Sequence, residues 1–352
     1  MREYGERAGR ELQEQILPFW LRHSPDAEFG GFFTGLDREG RVYDSRKYVW
    51  LNGRQVWTLA KLGYEEEARR GLEFLERHAV APDGRVWFSL TREGAPVYMQ
   101  RKPYSAVFVA LAYSAFPEKR AAAMELFGRI CDWIANPEKL GRSAAPSQLA
   151  DIYVMALLGR ELHLHDIEKA CVEGARQHLR DGVLMEFAGL ADSPESRLFC
   201  PGSSFEIAWL LLQCDRKATW LIEVIDRTLE YWDEERGGFD YFVDLEGRPL
   251  LPLEAPMRLW WVHVEALVAV AHAYRWTGDE KYAQWYARID DYCTRVFRDP
   301  EFGEWFGYAD REGRVTHTLK GNNYKGCFHL PRGLGMIATL LTSPGPADRT
   351  MK

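Results

Sequence analysis

His329 lies in KGCFHLPR (325–332), just ahead of Pro331, a residue suited to the first turn of a helix. An imidazole at a helix start can take up and return a proton near neutral pH, which is the work of a general acid or base. Other reactive residue types recur in comparable places. KYVWLNGRQVW (47–57) offers Trp50, Asn52 and Arg54, and QRKPYS (100–105) offers Arg101 and Tyr104. CPGSSFEIAW (200–209) offers Ser203 and Glu206, and RLWWVHVEA (258–266) offers Arg258, Trp260, His263 and Glu265. KGNNYKGCFH (320–329) adds Lys320 and Lys325. We assign His329, His263, Glu206 and Arg54 to catalysis. Trp50, Asn52, Tyr104, Ser203, Trp260, Trp305 and Lys325 are assigned to substrate binding, and no metal site is expected. Aromatic rings beside polar groups suit the apolar faces and hydroxyls of a sugar.

Each candidate also has a purely structural reading. Ser203-x-x-Glu206 fits a helix capping box. Arg54 fits an ion-pair partner and His263 a hydrogen-bonded core histidine. Trp260 and Trp261 fit part core and part pocket wall. Glu206, Glu265 and Asp151 can instead be read as the carboxylates of an inverting glycoside hydrolase.

These residues need elements to hold them. Helical periodicity marks twelve segments, at about 3–22, 48–62, 65–80, 103–115, 117–134, 146–160, 164–179, 203–214, 216–233, 258–276, 279–297 and 330–342. Odd members carry a charged face, as in EEEARRGLEFLERH; even members are apolar nearly all round, as in SAVFVALAYSAF. A helix apolar on every side must be buried, and one with a charged stripe lies at a surface. Six buried helices alternating with six half-exposed ones predict an all-α fold, an (α/α)6 barrel. Four similar stretches, at 30–43, 84–98, 237–250 and 303–315, read as short β-hairpins at its mouth, with degenerate copies near 135 and 182. The helix starts named above then face that mouth. Their unpaired N–H groups and partial positive charge would favour an anionic or enolate-like species. Residues 1–345 are expected to form one domain and 346–352 a flexible tail. Two separate helical domains are the alternative, against which stands the lack of a Pro/Gly/Ser-rich linker.

The chain has 352 residues and a net charge of −7, with no basic stripe, so a nucleic-acid partner is not expected. Six cysteines include no C-x-x-C pair, which leaves no zinc or redox spacing. The start, MREYGERAGRELQEQ, is too charged for a signal peptide, and no run of about 18 apolar residues appears. A cytoplasmic protein without a membrane partner is expected.

KYVWLNGRQVW, PGSSFEIAWLL, RLWWVHVEALVA, DPEFGEWFGYADREG and KGCFHLPR resemble the N-acylglucosamine 2-epimerase family, also known as renin-binding protein, from about residue 10 to 340. The resemblance implies an (α/α)6 barrel that interconverts N-acetylglucosamine and N-acetylmannosamine. The C2 proton of the open-chain sugar is removed and returned, with charge passing to the C1 aldehyde. It implies that His329 is one acid/base, that Arg54 lies near the sugar oxygens, and that Glu206 matches the glutamate of the family's P-G-H-x-x-E. Ser203 stands where that motif has its histidine. Three explanations stay open: His263 supplies the second base, the enzyme is an aldose–ketose isomerase using one base, or activity is weak and only sugar binding remains. The resemblance further implies a possible homodimer and possible nucleotide activation. No G-x-x-x-x-G-K-[ST] loop is present to place a nucleotide, and no other cofactor is expected.

Overall fold

A computed structural model describes residues 1–143 and 146–343 of the chain. The tail expected at 346–352 lies outside the described residues. Twelve helices follow one another: α1 (Arg2–Glu11, continued by a π turn Leu12–Ile16 and by Leu17–His23), α2 (Val49–Lys61), α3 (Glu65–His78), α4 (Tyr104–Ser114), α5 (Arg120–Ala135), α6 (Leu149–Glu161), α7 (His165–Ala175), α8 (Pro201–Cys214), α9 (Trp220–Leu229), α10 (Trp260–Thr277), α11 (Lys281–Val296) and α12 (His329–Thr342). Among the described residues all twelve expected segments are present, with ends that shift by a few residues.

The chain divides into two compact units. One holds Met1–Pro18, Ala175–His317 and the segment from His329; the other holds Phe19–Gly174 and Thr318–Phe328. In the first unit α10 is apolar over almost its whole circumference. It is buried from Val262 to Ala271 and packs against α8, α11 and α12. Its neighbour α11 buries one stripe, including Tyr282, Tyr286, Ile289 and Cys293, and leaves its charged side outward. In the second unit α4 plays the all-apolar part, packed against α2, α5 and α6. The alternation between fully apolar and amphipathic helices is thus a difference in burial.

The repeated aromatic stretches share a turn more than they share a hairpin. At 30–43, Gly35–Leu36 pairs antiparallel with Val42–Asp44, and at 84–98, Ser89–Leu90 pairs with Pro96–Tyr98. The degenerate copy near 182 also pairs, Leu179–Arg180 with Val183–Leu184. In the later two stretches the strands pair with other segments, though at 303–315 Ala309 also bridges Val315 antiparallel across its own turn. Val243–Asp244 pairs with Leu198–Phe199, and Tyr308–Ala309 pairs with Arg258–Leu259 at the start of α10. The stretch near 135 forms a 3-10 turn, Pro137–Leu140, not a hairpin. The turns themselves are built alike. Asp37 Oδ1 accepts the N–H groups of Glu39 and Arg41 at 3.0 and 2.9 Å, and Arg41 Nε returns to Asp37 Oδ2 at 2.8 Å. Asp310 does the same with Glu312 and Arg314 at 3.0, 2.9 and 2.8 Å. An aspartate that binds its own downstream backbone closes such a turn locally.

The second unit buries a cluster of charges. Lys47 Nζ lies 2.9 Å from Asp26 Oδ2, both side chains being fully enclosed, and Arg92 adds bonds of 2.9 and 3.0 Å to the same carboxylate. Burial alone would raise the Asp26 carboxyl, but the hydrogen bonds from Arg92 and Lys47 outweigh it and hold the group well below the usual range. An aspartate depressed in the fold contributes stability above its unfolded pKa, about 3.9, which is lost as pH falls toward the folded value. Replacing Asp26 by Ala should destabilise the chain by about 3 kcal/mol or more, because Lys47 stays buried without its counter-charge. Urea denaturation of both proteins should show that difference at pH 7 and a narrower one below pH 4.

Candidate active site

Two glycines let three helices of the first unit approach closely. A Cβ on Gly333 in α12 would lie 2.5 Å from Val264 of α10, and one on Gly202 in α8 would lie 2.7 Å from the Trp261 ring. With no side chain at either place, the first turns of α8, α10 and α12 converge. They bring together Glu206, Glu265, His329 and Arg332, all buried.

His329 Nδ1 lies 2.7 Å from Glu265 Oε1 and 3.7 Å from Glu206 Oε1. A carboxylate only accepts, so Nδ1 carries the hydrogen and Nε2 is the basic nitrogen. Arg332 follows His329 by one helical turn and so shares its face. Its Nη2 donates to Glu206 Oε1 at 3.0 Å and also to Glu265 Oε1. Trp209 Nε1 donates to Glu265 Oε2 at 2.9 Å, and the Arg332 guanidinium lies 5.2 Å from the Trp209 ring centre. Two tryptophans flank the imidazole: Trp261 at 5.5 Å between ring centres and Trp260 at 6.4 Å, nearly edge-on. The ligand atoms of Glu206, Glu265 and His329 fall within 4.8 Å of one another, a spacing a divalent ion could use. Arg332 already places its positive charge between the two carboxylates, so a second cation there would be repelled. The arrangement suits proton transfer: a base with a fixed tautomer, in an aromatic and largely water-excluded setting.

In the second unit, Arg54 is held by aromatic faces. Its guanidinium carbon lies 4.2 Å from the Phe108 ring centre and 4.5 Å from those of Trp50 and Phe328. Tyr104 begins α4 with its ring 5.9 Å from that of Phe108. Arginine over aromatic faces keeps its charge in a low-dielectric place.

The family model for N-acylglucosamine 2-epimerase matches residues 31–144 and 180–329. The N-acylglucosamine 2-epimerase of Bos taurus is 37% identical over 390 residues, which cover 97% of this chain and 92% of that protein. The chain belongs to the N-acylglucosamine 2-epimerase family. Among solved structures, the cellobiose 2-epimerase of Spirochaeta thermophila matches with a TM-score of 0.81 at 21% identity, covering 97% of each chain. A D-mannose isomerase matches with a TM-score of 0.82 at 19% identity, covering 96% of this chain and 97% of that one. These likenesses give the fold class, an all-α (α/α)6 barrel, as the helix pattern led us to expect.

Within this family member the expected site residues separate into groups. His329 and Glu206 meet, as does Trp260. Glu206 does not form a capping box with Ser203, since α8 has no side-chain cap and the carboxylate goes to Arg332. Ser203 is half-buried in the first turn of α8, hydrogen-bonded to the Cys200 thiol, whose pKa burial pushes far up. Both the hydroxyl and the raised thiol keep their protons near neutrality, so neither serves as a base. Glu265, weighed in the sequence as a carboxylate, proves to be the partner of the imidazole. Arg332 and Trp209 join the cluster without having been singled out. Their one available signal is the i+3 spacing from His329 and Glu206.

Four assignments are corrected by the packing. His263 is a core histidine. Its Nδ1 lies 2.8 Å from the Leu259 carbonyl, its Nε2 accepts the Phe239 N–H at 3.1 Å, and Tyr292 stacks on it at 5.1 Å. Both nitrogens are spent, so it cannot serve as the second base. Asn52 uses its whole amide on backbone, with Phe32 N–H at 2.8 Å and the Phe32 and Tyr48 carbonyls at 3.2 Å. Trp305 is buried against Phe297, its indole N–H given to Glu11 at 2.7 Å. Lys325 is buried and donates to the Lys320 carbonyl at 2.9 Å. All four bind protein where a sugar was expected.

Burial lowers the His263 pKa to about 3. Its unfolded counterpart takes up a proton near 6.5, so stability should fall as pH drops from about 6.5 toward 3. Ring signals of His263 followed by NMR should show no titration above pH 5.

Proposed function

We propose that this chain interconverts N-acetylglucosamine and N-acetylmannosamine at C2 of the open-chain sugar. The observation that carries the proposal is the Glu265–His329 pair at 2.7 Å with Arg332 beside it. His329 Nε2 removes the C2 proton, and the electron pair passes to the aldehyde oxygen. The imidazolium that forms is stabilised by Glu265 through Nδ1–H. A proton delivered from solvent to the opposite face of C2, with the one on His329 Nε2 released to solvent, completes the inversion. Trp260 and Trp261 keep water from the imidazole and offer apolar faces to the sugar. Arg54, in its aromatic cage, is proposed to bind oxygens of the substrate.

Inversion needs acid/base groups on both faces. With His263 in the core and serine at 203, the cluster holds a single imidazole among the described residues. That favours, as a second reading, aldose–ketose isomerisation by one base acting on one face. An inverting glycoside hydrolase is weaker, because Glu206 and Glu265, two of the three carboxylates considered for it, are bound to Arg332. On the family resemblance we also propose a homodimer, a cytoplasmic location and a nucleotide as activator. No helix among the described residues is long and apolar enough to cross a membrane.

Proton NMR in deuterated water separates the readings, with N-acetylmannosamine, mannose and glucose as separate substrates. Deuterium at C2 with both N-acetyl epimers appearing is the expected result. A ketose as sole product moves the assignment to an isomerase, and sugar binding without exchange defeats both. His329→Gln should lower kcat by at least about a hundredfold, the usual scale of general acid/base catalysis, with KM little changed. Glu265→Gln, which can hold the other tautomer, should lose activity on the same scale.

A further inference from the structure

We infer that Trp209 is a positioning residue for proton transfer: its indole N–H holds Glu265 in the ionised, oriented form that fixes the tautomer of His329. This inference rests on the functional reading above and extends it one layer outward. Glu265 is fully buried, and each of its oxygens has a separate task. Oε1 takes the His329 Nδ1–H at 2.7 Å and a bond from Arg332, and Oε2 takes the Trp209 N–H at 2.9 Å. A buried carboxylate with one unmet oxygen gains proton affinity. Were Glu265 to take up a proton, its O–H would donate to Nδ1, the hydrogen on His329 would move to Nε2, and the base would be lost.

Trp209 reaches more than one member of the cluster. Its ring lies under the Arg332 guanidinium, and on α10 it stacks nearly parallel to His272, 5.7 Å between centres at 7°. The charged and titratable groups around the Glu265–Trp209 bond are therefore His329 and Arg332 from α12, Glu206 from α8, and His272 from α10 through the ring. Glu206 and Trp209 lie one turn apart on α8, so the same helix face presents a carboxylate to Arg332 and an indole to Glu265. The ring also meets the arginine that Glu206 binds. This links the orientation of α8 to the charge state of a residue on α10.

The test compares wild type with Trp209→Phe, and with the isosteric sulfur analogue benzothienylalanine at 209, which keeps the ring and lacks the N–H. Each protein is assayed for C2 exchange in deuterated water across pH, with KM and kcat separated. Both substitutions should lower kcat about tenfold to a hundredfold, the scale seen for outer-layer partners of a catalytic group. KM should stay unchanged, and the low-pH limb of activity should move to higher pH. Nitrogen NMR of His329 should show the Nε2–H tautomer growing as pH falls. If Trp209→Phe fails to fold, the isostere decides. Wild-type kcat and tautomer in the isostere overturn the inference, as does a loss confined to KM. Absence of C2 exchange in wild type defeats the functional reading itself.

Discussion

A single buried negative charge organises this molecule's chemistry. Glu265 is withdrawn from water, and a carboxylate there is tolerable only when its oxygens are met by donors. The donors come from two helices packed against α10: an indole on α8, and an imidazole and a guanidinium on α12. None can reach unless the helices lie close, and Gly202 and Gly333 permit that approach. Backbone geometry and proton chemistry are thus one constraint. The fold must bring three helix starts together, and the charge keeps them there.

The same physics appears in the second unit without chemistry. Asp26 is as enclosed as Glu265 and is met by Lys47 and Arg92. Its side-chain partners are a lysine and an arginine, and the Glu28 and Phe29 N–H groups complete the set, so the cluster holds structure. Around Glu265 one partner is an imidazole, whose second nitrogen can bind and release a proton. His263 on α10 and His329 on α12 differ in the same way. His263 has both nitrogens engaged by backbone, whereas His329 engages Nδ1 with a carboxylate.

Periodicity makes the helices legible because burial and amphipathicity leave opposite patterns along a sequence. α4 and α10 read as interior and α11 as boundary before any coordinates are known. The KGCFHLPR stretch places His329 at a helix start for an equally local reason, the proline two residues on. Side-chain partners are a different matter. Asn52, Trp305 and Lys325 have residue types that suit a sugar, yet their bonds go to Phe32, Glu11 and Lys320. Nothing local distinguishes a buried amide that ties a loop from one that ties a ligand. Arg332 and Trp209 were hidden for the converse reason. Their meaning lies in a carboxylate on another helix, more than fifty residues away in the chain. The hairpins fall in between. The turn is encoded within five residues and appears as read, while the strand that pairs with Tyr308–Ala309 comes from the start of α10.

Those turns have an evolutionary consequence. Asp37 with Arg41, and Asp310 with Arg314, each close a loop through bonds confined to its own five residues. Loops sealed in this way are self-sufficient, so inserting or deleting residues beyond them leaves the helical scaffold untouched. New specificities can then be tried by lengthening or grafting the segments next to these turns, while the carboxylate and imidazole are inherited intact.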